Sequence, residues 1–179
     1  MYYDCSRPVS LEDPDWIQHS TCIRHTESSD QVHIGAVHVA DDNQDGPLSV
    51  LMGAARVADL PVSCVNSEGC ITEQLLAHLE IPLPPRVLLR TGELGRISRN
   101  FVLSDTVAQR LAAEGVTLLG IDQSWAEGSE RVLIGHNLVL MDGLVLADVP
   151  VGDYVLTALP LKLDSGNVQP VRAVLREVI

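Results

Sequence analysis

A helix followed directly by a continuous apolar segment constrains this fold more than any other part of the sequence. Ser104 is a suitable N-cap for the segment SDTVAQRLAAEG, in which Val107 and Leu111 give an apolar stripe of helical spacing. Gly115 supplies the residue type that commonly ends a helix. The residues that follow, VTLLGID at 116–122, form an unbroken apolar run. Such a run is typical of a central strand that is buried on both faces of a sheet.

Strands outnumber helices in the rest of the chain. Alternating or continuous apolar patterns predict strands at residues 33–40, 54–60, 86–90, 138–146, 154–163 and 171–178. A second, shorter helix is predicted at 71–79, with Thr72 as its N-cap and with Ile71 and Leu76 forming a hydrophobic staple. The 179 residues contain no repeat and no long linker. We therefore expect one α/β domain with a mixed sheet, covering residues 1–179.

Charge and hydropathy exclude several classes of partner. The chain has 24 acidic and 12 basic residues, which gives a net charge of −12. Polyanionic partners bind clustered Lys and Arg, so neither nucleic acid nor an anionic membrane surface is expected to bind. No apolar run approaches the roughly 20 residues of a membrane-spanning helix, and the first residues do not resemble a secretory signal. We expect a cytoplasmic protein.

The cysteines and histidines show no spacing that is typical of a metal site. The spacing of the four cysteines matches neither a CxxC pair nor a zinc knuckle, so buried free thiols are expected at Cys5, Cys22, Cys64 and Cys70. The six histidines form no HxH, HxxxH or HExxH pattern. A Gly-rich phosphate loop and a GxSxG nucleophile motif are also missing.

Two acidic residues stand out because of their position. Asp122 ends the predicted buried strand, where ligand sites of open α/β sheets tend to form, and Ser124 and Trp125 follow it. Asp122 either contributes to such a site or orients the loop after it. Asp142 interrupts the apolar stretch LVLMDGLVL, where a carboxylate must be paired, hydrated or placed in a turn. The Asp-Gly dipeptide favours the turn.

Several blocks of the chain together resemble a known family. They are RVLLRTGE (86–93), LAAEGVTLLGIDQS (111–124) and VPVGDYVLTALPLKL with PVRAVL (149–175), together with MYYDCSRPVS, DPDW and ITEQLLAHL. In this order they resemble the cyclase family, which includes bacterial kynurenine formamidases and isatin hydrolases. The resemblance implies a mixed β/β/α fold and a homodimer or higher homo-oligomer. It also implies one or two divalent ions, held by a motif HxGTHxDxPxH and later His and Glu ligands, that activate a water molecule.

The chain departs from this family at the residues that would hold the ions. No segment contains the complete HxGTHxDxPxH motif, and the chain passes from Ala40 directly into DDNQDGP. An ungapped comparison places Glu130 where the family has its later ligand His, and Asp142 where it has its ligand Glu, while His136 is displaced. A catalytic zinc ion in a hydrolase needs three protein ligands. Because of these departures, we expect this chain to hold neither a metal ion nor another cofactor.

These features lead to a hypothesis for function. We expect a metal-independent cyclase that encloses an apolar, polyketide-type small molecule and promotes a cyclisation or cycloaddition in bacterial natural-product biosynthesis. A metal-dependent amide or lactam hydrolase with a residual site, and a ligand-binding domain without catalysis, are the alternatives. The expected catalytic residues are His38, Ser124, His136 and Asp142. The expected substrate-binding residues are Asp122, Trp16 and Trp125, although ordinary core packing would equally explain both tryptophans.

Overall fold

The structure of the protein is a computed structural model. It describes residues 1–8, 12, 22–24, 48–92, 94, 100–126, 129, 136, 138–160 and 168–178. The strand predicted at 33–40 and two predicted site residues, Trp16 and His38, lie outside these residues.

The described residues form eleven named strands and three α-helices. The strands are β1 (Tyr2–Asp4), β2 (Cys22–Arg24), β3 (Met52–Asp59), β4 (Cys70–Ile71), β5 (Arg86–Arg90), β6 (Asn100–Leu103), β7 (Leu118–Ile121), β8 (Ser124–Trp125), β9 (Val139–Asp142), β10 (Gly152–Pro160) and β11 (Val168–Glu177). The helices are α1 (Leu48–Leu51), α2 (Gln74–His78) and α3 (Asp105–Ala113), and a 3₁₀ turn covers Val62–Cys64.

The larger sheet is mixed and closes on itself. Its eight strands run in the order β1, β11, β10, β3, β5, β7, β9, β2. The central pairs β3–β5, β5–β7 and β7–β9 are parallel, whereas the pairs that involve β10, β11, β1 and β2 are antiparallel. Because β2 pairs with both β9 and β11, the sheet forms a barrel. The predicted α/β class with a mixed sheet is confirmed.

Alternating side chains on the barrel strands produce two apolar cores. On β5, Leu88 faces the inner core, whereas Val87 and Leu89 face the outer core. The inner core contains residues of β3, β5, β7, β9, β10 and β11 and therefore fills the barrel. The outer core lies between the parallel strands, helix α3 and a smaller parallel sheet of β4, β6 and β8. Both faces of the parallel strands are thus buried, as the apolar run of β7 predicts.

Arg86 connects helix α1 to the barrel at the amino end of β5. Its side chain is buried, and its Nε donates to the Val50 carbonyl at 2.7 Å. Its Nη1 donates to the Ala54 carbonyl at 3.2 Å, and its Nη2 donates to the Ser49 carbonyl. Gly53, with a φ of +129°, lies against the guanidinium, so a Cβ at this position would be 3.0 Å from Nη1. The hydrogen bonds from the Arg86 guanidinium to these three carbonyls hold the end of α1 against the sheet.

The predicted elements agree with the structure where local signals are strong. The strand at 86–90 has the predicted bounds, and α3 begins after Ser104, whose Oγ accepts from the Val107 amide at 3.4 Å. Gly115 follows α3 with a φ of +86°. The strands predicted at 54–60, 116–122, 154–163 and 171–178 are found as β3, β7, β10 and β11 with shifted ends.

Two local predictions are wrong. The predicted strand at 138–146 ends at Asp142, because Gly143 has a φ of +68° and turns the chain. Helix α2 is shorter than predicted and has Glu73 at its N-cap position. Thr72 does not cap it because its hydroxyl donates to the Cys64 carbonyl at 3.1 Å.

Cys5 and Cys64 are buried, Cys70 is half-buried, and all three are free thiols. Burial raises the pKa of the Cys5 thiol to about 12.

Within the described ranges, no helix is long and apolar enough to cross a membrane.

Candidate functional site

Polar side chains gather where the parallel strands end. Asp59 ends β3, Thr91 follows β5, Asp122 follows β7, and Asp142 ends β9. Because these strands are parallel neighbours, their carboxyl ends lie along one edge of the barrel, which we call the carboxyl edge. Ligand sites in parallel sheets commonly form at this end of the strands.

Asp122 is held by Thr91 of the neighbouring strand. Its Oδ1 accepts from the Thr91 hydroxyl at 2.7 Å and from the Thr91 amide at 3.1 Å, and its Oδ2 lies 3.2 Å from the same amide. Thr91 is only 3% exposed. The chain turns directly after it, at Gly92 with a φ of +52°. Burial raises the pKa of the Asp122 carboxyl, and the hydrogen bonds from Thr91 oppose that effect.

The Arg90 guanidinium interacts with two carboxylates at this edge, through a hydrogen bond to Asp59 and through its charge with Asp122. The Arg90 Nε donates to Asp59 Oδ1 at 2.7 Å, and its Nη1 donates to the Val149 carbonyl at 2.7 Å. The positive charge of Arg90 also opposes the rise in the pKa of the Asp122 carboxyl, but it is the smallest of the named effects. Since Arg90 is already paired with Asp59, it compensates the charge of Asp122 only in part.

Strand β8 connects this edge to β9. The Trp125 Nε1 donates to the Met141 carbonyl at 3.2 Å, and the Gly143 amide donates to the Gln123 carbonyl at 2.9 Å. These two bonds bracket Asp142, which is 3% exposed. Four of the predicted site residues, Asp122, Ser124, Trp125 and Asp142, thus lie in or directly after β7, β8 and β9.

His136, another predicted site residue, contacts the start of α3. The His136 Nε2 lies 2.9 Å from Asp105 Oδ1, at the start of α3. Trp125 itself is 3% exposed and belongs to the outer core, as expected from the core-packing interpretation. Its contribution to a substrate pocket stays a prediction, as do the roles of Trp16 and His38.

A groove of about 620 Å³ opens elsewhere on the surface. Its lining comes from the 3₁₀ turn and the segment after it, from β4, and from the starts of α2 and α3: Ser63, Val65, Asn66, Cys70, Ile71, Thr72, Glu73, Gln74, Ser104 and Thr106. Of the predicted site residues that the structure describes, none lines this groove.

The described residues do not fit the divalent ion that the resemblance implies. No three His, Cys, Asp or Glu side chains among them lie close enough to hold a metal ion. Asp142 lies at the position compared with a ligand Glu, but His136 is bound to Asp105, and Asp122 is bound to Thr91.

Sequence reasoning missed Thr91 and Arg90. Both lie at the carboxyl end of the buried strand β5, which is the same signal that singled out Asp122 on β7. The RVLLRTGE segment by itself predicts a strand at 86–90 and a family resemblance, and no local pattern in it indicates a contact with the next strand.

Curated proteins support that resemblance. The kynurenine formamidase of Bordetella pertussis is 32% identical over 210 aligned positions, which include 98% of this chain and 98% of that protein. Since the chain has 179 residues, the relative contains residues without a counterpart here. The kynurenine formamidase of Polaromonas naphthalenivorans is 36% identical over 140 positions, covering 73% of this chain and 61% of that protein.

Solved structures have the same fold. A potential metal-dependent hydrolase with cyclase activity superimposes with a TM-score of 0.68 at 25% identity and covers 99% of both chains. An isatin hydrolase bound to the product analogue thioisatinate superimposes with a TM-score of 0.57 at 17% identity, covering 97% of this chain and 91% of that chain. No family profile matches the chain.

Proposed function

The chain belongs to the cyclase family that includes the kynurenine formamidases, and from that premise we propose that it is a cyclase that works without a metal ion. Its substrate is an apolar, polyketide-type molecule that carries a carbonyl group. The observation that carries the proposal is that the sequence lacks the complete HxGTHxDxPxH motif, although the chain aligns with nearly the whole length of a kynurenine formamidase.

The carboxyl edge offers hydrogen-bond donors in place of a metal ion. In its protonated form, Asp122 can donate to a substrate carbonyl, and burial favours that form by raising the pKa of the carboxyl. The hydroxyl of the half-buried Ser124 can supply a second donor. Donors that are already oriented toward a developing charge lower a barrier, and the loss of one costs roughly 10²–10³ in rate.

Orientation of the substrate supplies the rest of the effect. A pocket that holds two reacting ends in line can contribute about 7–11 kcal/mol. In a cycloaddition the three π bonds of a diene and an alkene in one molecule are replaced by two carbon–carbon σ bonds and one new π bond, and no atom enters or leaves. The product is therefore an isomer of the linear substrate.

Hydrolysis of an aryl formamide or a lactam is the second candidate. The names of the relatives favour it, because both curated proteins are kynurenine formamidases. Metal-assisted hydrolysis would need ligands beyond those that the described residues bring together.

Deletion of the gene in its host separates these functions. Extracts of the deletion strain and of strains complemented with the wild-type gene or with Asp122→Ala, which removes the donor, are compared by chromatography and mass spectrometry. We expect the deletion strain and the Asp122→Ala strain to accumulate a linear isomer with the mass of the missing cyclic product. Accumulation of an N-formyl amine or an unopened lactam would show a hydrolase.

Metal content provides the second measurement. Protein purified without chelators or added metal is analysed for zinc and manganese, and it is expected to contain neither in stoichiometric amount. A stoichiometric metal ion that is required for turnover would overturn the metal-free mechanism. Binding of the linear compound without conversion would show a ligand-binding domain instead of an enzyme.

A further inference from the structure

We propose that Thr91 is a positioning residue that holds the Asp122 carboxyl in the orientation from which Oδ2 presents a proton to the substrate. This inference rests on the proposed function, since it concerns the same carboxyl edge. It adds a residue for which neither the family motif nor the predicted site assigns a role.

The two oxygens of Asp122 are not equivalent. Oδ1 receives both the hydroxyl and the amide of Thr91, at 2.7 and 3.1 Å. Oδ2 lies 3.2 Å from the same Thr91 amide and receives no bond from the Thr91 hydroxyl. The backbone amide of Asp122 itself also donates to the carboxyl. Two donors on Oδ1 make it the oxygen that stays unprotonated, so Oδ2 is the oxygen that carries the proton. The Thr91 side chain thus decides which oxygen can donate to a ligand.

The hydroxyl of Thr91 cannot readily be replaced by water. Thr91 is 3% exposed, and it is fixed by the end of β5 on one side and by the turn at Gly92 on the other. The amide contact comes from the backbone and persists whatever side chain stands at position 91. The hydroxyl contact is therefore the part that a substitution removes selectively.

Among the described residues, Arg90 of β5 is the charged side chain that acts on Asp122. Arg90 is itself paired with Asp59 of β3 at 2.7 Å. Since the charge of Arg90 is shared, the hydroxyl of Thr91 is the main side-chain group that favours the ionised carboxyl, and burial is the main effect against it. Removal of the hydroxyl shifts this balance toward the protonated form.

Two variants of the full chain test the proposal. Thr91→Val keeps the shape of the side chain but removes the hydroxyl, and Thr91→Ser restores the hydroxyl with a smaller side chain. The titration of the Asp122 carboxyl carbon is followed by NMR in the wild type and in both variants. The midpoint is expected to move to higher pH in Thr91→Val and to return toward the wild-type value in Thr91→Ser.

Binding of formanilide, a simple aryl formamide with one carbonyl, gives the second readout. Its chemical-shift titration is repeated across the same pH range with each variant. Binding is expected to weaken as Asp122 loses its proton, and this loss is expected at higher pH in Thr91→Val. Below both midpoints Thr91→Val is expected to bind formanilide more weakly than the wild type, because the hydroxyl no longer orients the carboxyl, and equal binding there would contradict the positioning role. The proposal is overturned if the Val variant leaves the midpoint unmoved, or if formanilide binding shows no dependence on the ionisation of Asp122.

The same probe distinguishes failure of the proposed function. Release of aniline from formanilide, dependent on added zinc or manganese, would show a metal-dependent hydrolase. The NMR midpoint of Asp122 would still report whether Thr91 controls that carboxyl, because this measurement does not depend on the reaction.

Discussion

The ionisation of Asp122 links the candidate site to the stability of the fold. Burial raises the pKa of its carboxyl above the ordinary value of 3.8, so the folded chain binds this proton more tightly than the unfolded chain does. The resulting stabilisation is fully present below the ordinary value. It is lost as the pH rises through the pKa of the folded state.

Asp122→Asn is expected to remove this pH dependence. Asparagine does not titrate, so the wild type should lose free energy of unfolding relative to the variant as the pH rises from about 3 to about 7. Urea unfolding of both proteins at several pH values measures the difference. Parallel curves across this range would contradict the expectation.

Local signals were sufficient for some residues and insufficient for others. Position at the end of an apolar run identified Asp122, because its place in the chain is visible without the fold. The role of Thr91 was not predicted, because it depends on a contact with Asp122 across the strand pair β5–β7. His136 was predicted as a catalytic residue although the family comparison displaces it from the ligand position, and its contact with Asp105 is visible only in the folded chain.

At the scale of the elements, the N-cap of α3 illustrates a local prediction that has a measurable energy. The Ser104 Oγ accepts from the Val107 amide, and α3 covers the outer core. Ser104→Ala is expected to lower the free energy of unfolding by about 0.5–2 kcal/mol. The control is Thr106→Ala, an exposed change in the same turn, which should have a smaller effect in urea unfolding.

The Trp125 indole links β8 to β9. Trp125→Phe removes the donor to the Met141 carbonyl and leaves space in the outer core. We expect a loss of roughly 1–3 kcal/mol of unfolding free energy. Tyr2→Phe, at a residue that is 72% exposed, serves as the control and should change stability little. Equal effects of the two changes would argue against a structural role for the indole N–H.

Sequence patterns could not predict the short strands. β1, β2, β4 and β8 have two or three residues each, which is too short to show an alternating pattern. They are strands because longer neighbours pair with them. In contrast, β5 and α3 are specified by their own residues and were predicted closely.

At the scale of the whole molecule, Gly120 sets how closely the barrel packs. A Cβ at this position would lie 2.4 Å from Leu88 Cδ2 and 2.9 Å from Leu144 Cδ1. Gly120→Ala is expected to destabilise the protein by about 1–3 kcal/mol through overpacking. Combining it with Leu88→Val should recover part of the loss in thermal unfolding. Strictly additive losses would show that the two side chains do not compete for space.

Closure of the barrel by β2 has a consequence for folding. Its pairs with β11 join Arg24 to Val168 and Cys22 to Pro170, so the ring closes only when distant parts of the chain meet. Such contacts carry a large loop-closure entropy and form late. Until then, β9 and β11 each offer an unpaired edge to other chains. The pairing of β2 therefore covers both edges. Ile23→Pro, which disrupts that pairing and leaves β1 in place, should cause light scattering during refolding under conditions where the wild type stays clear.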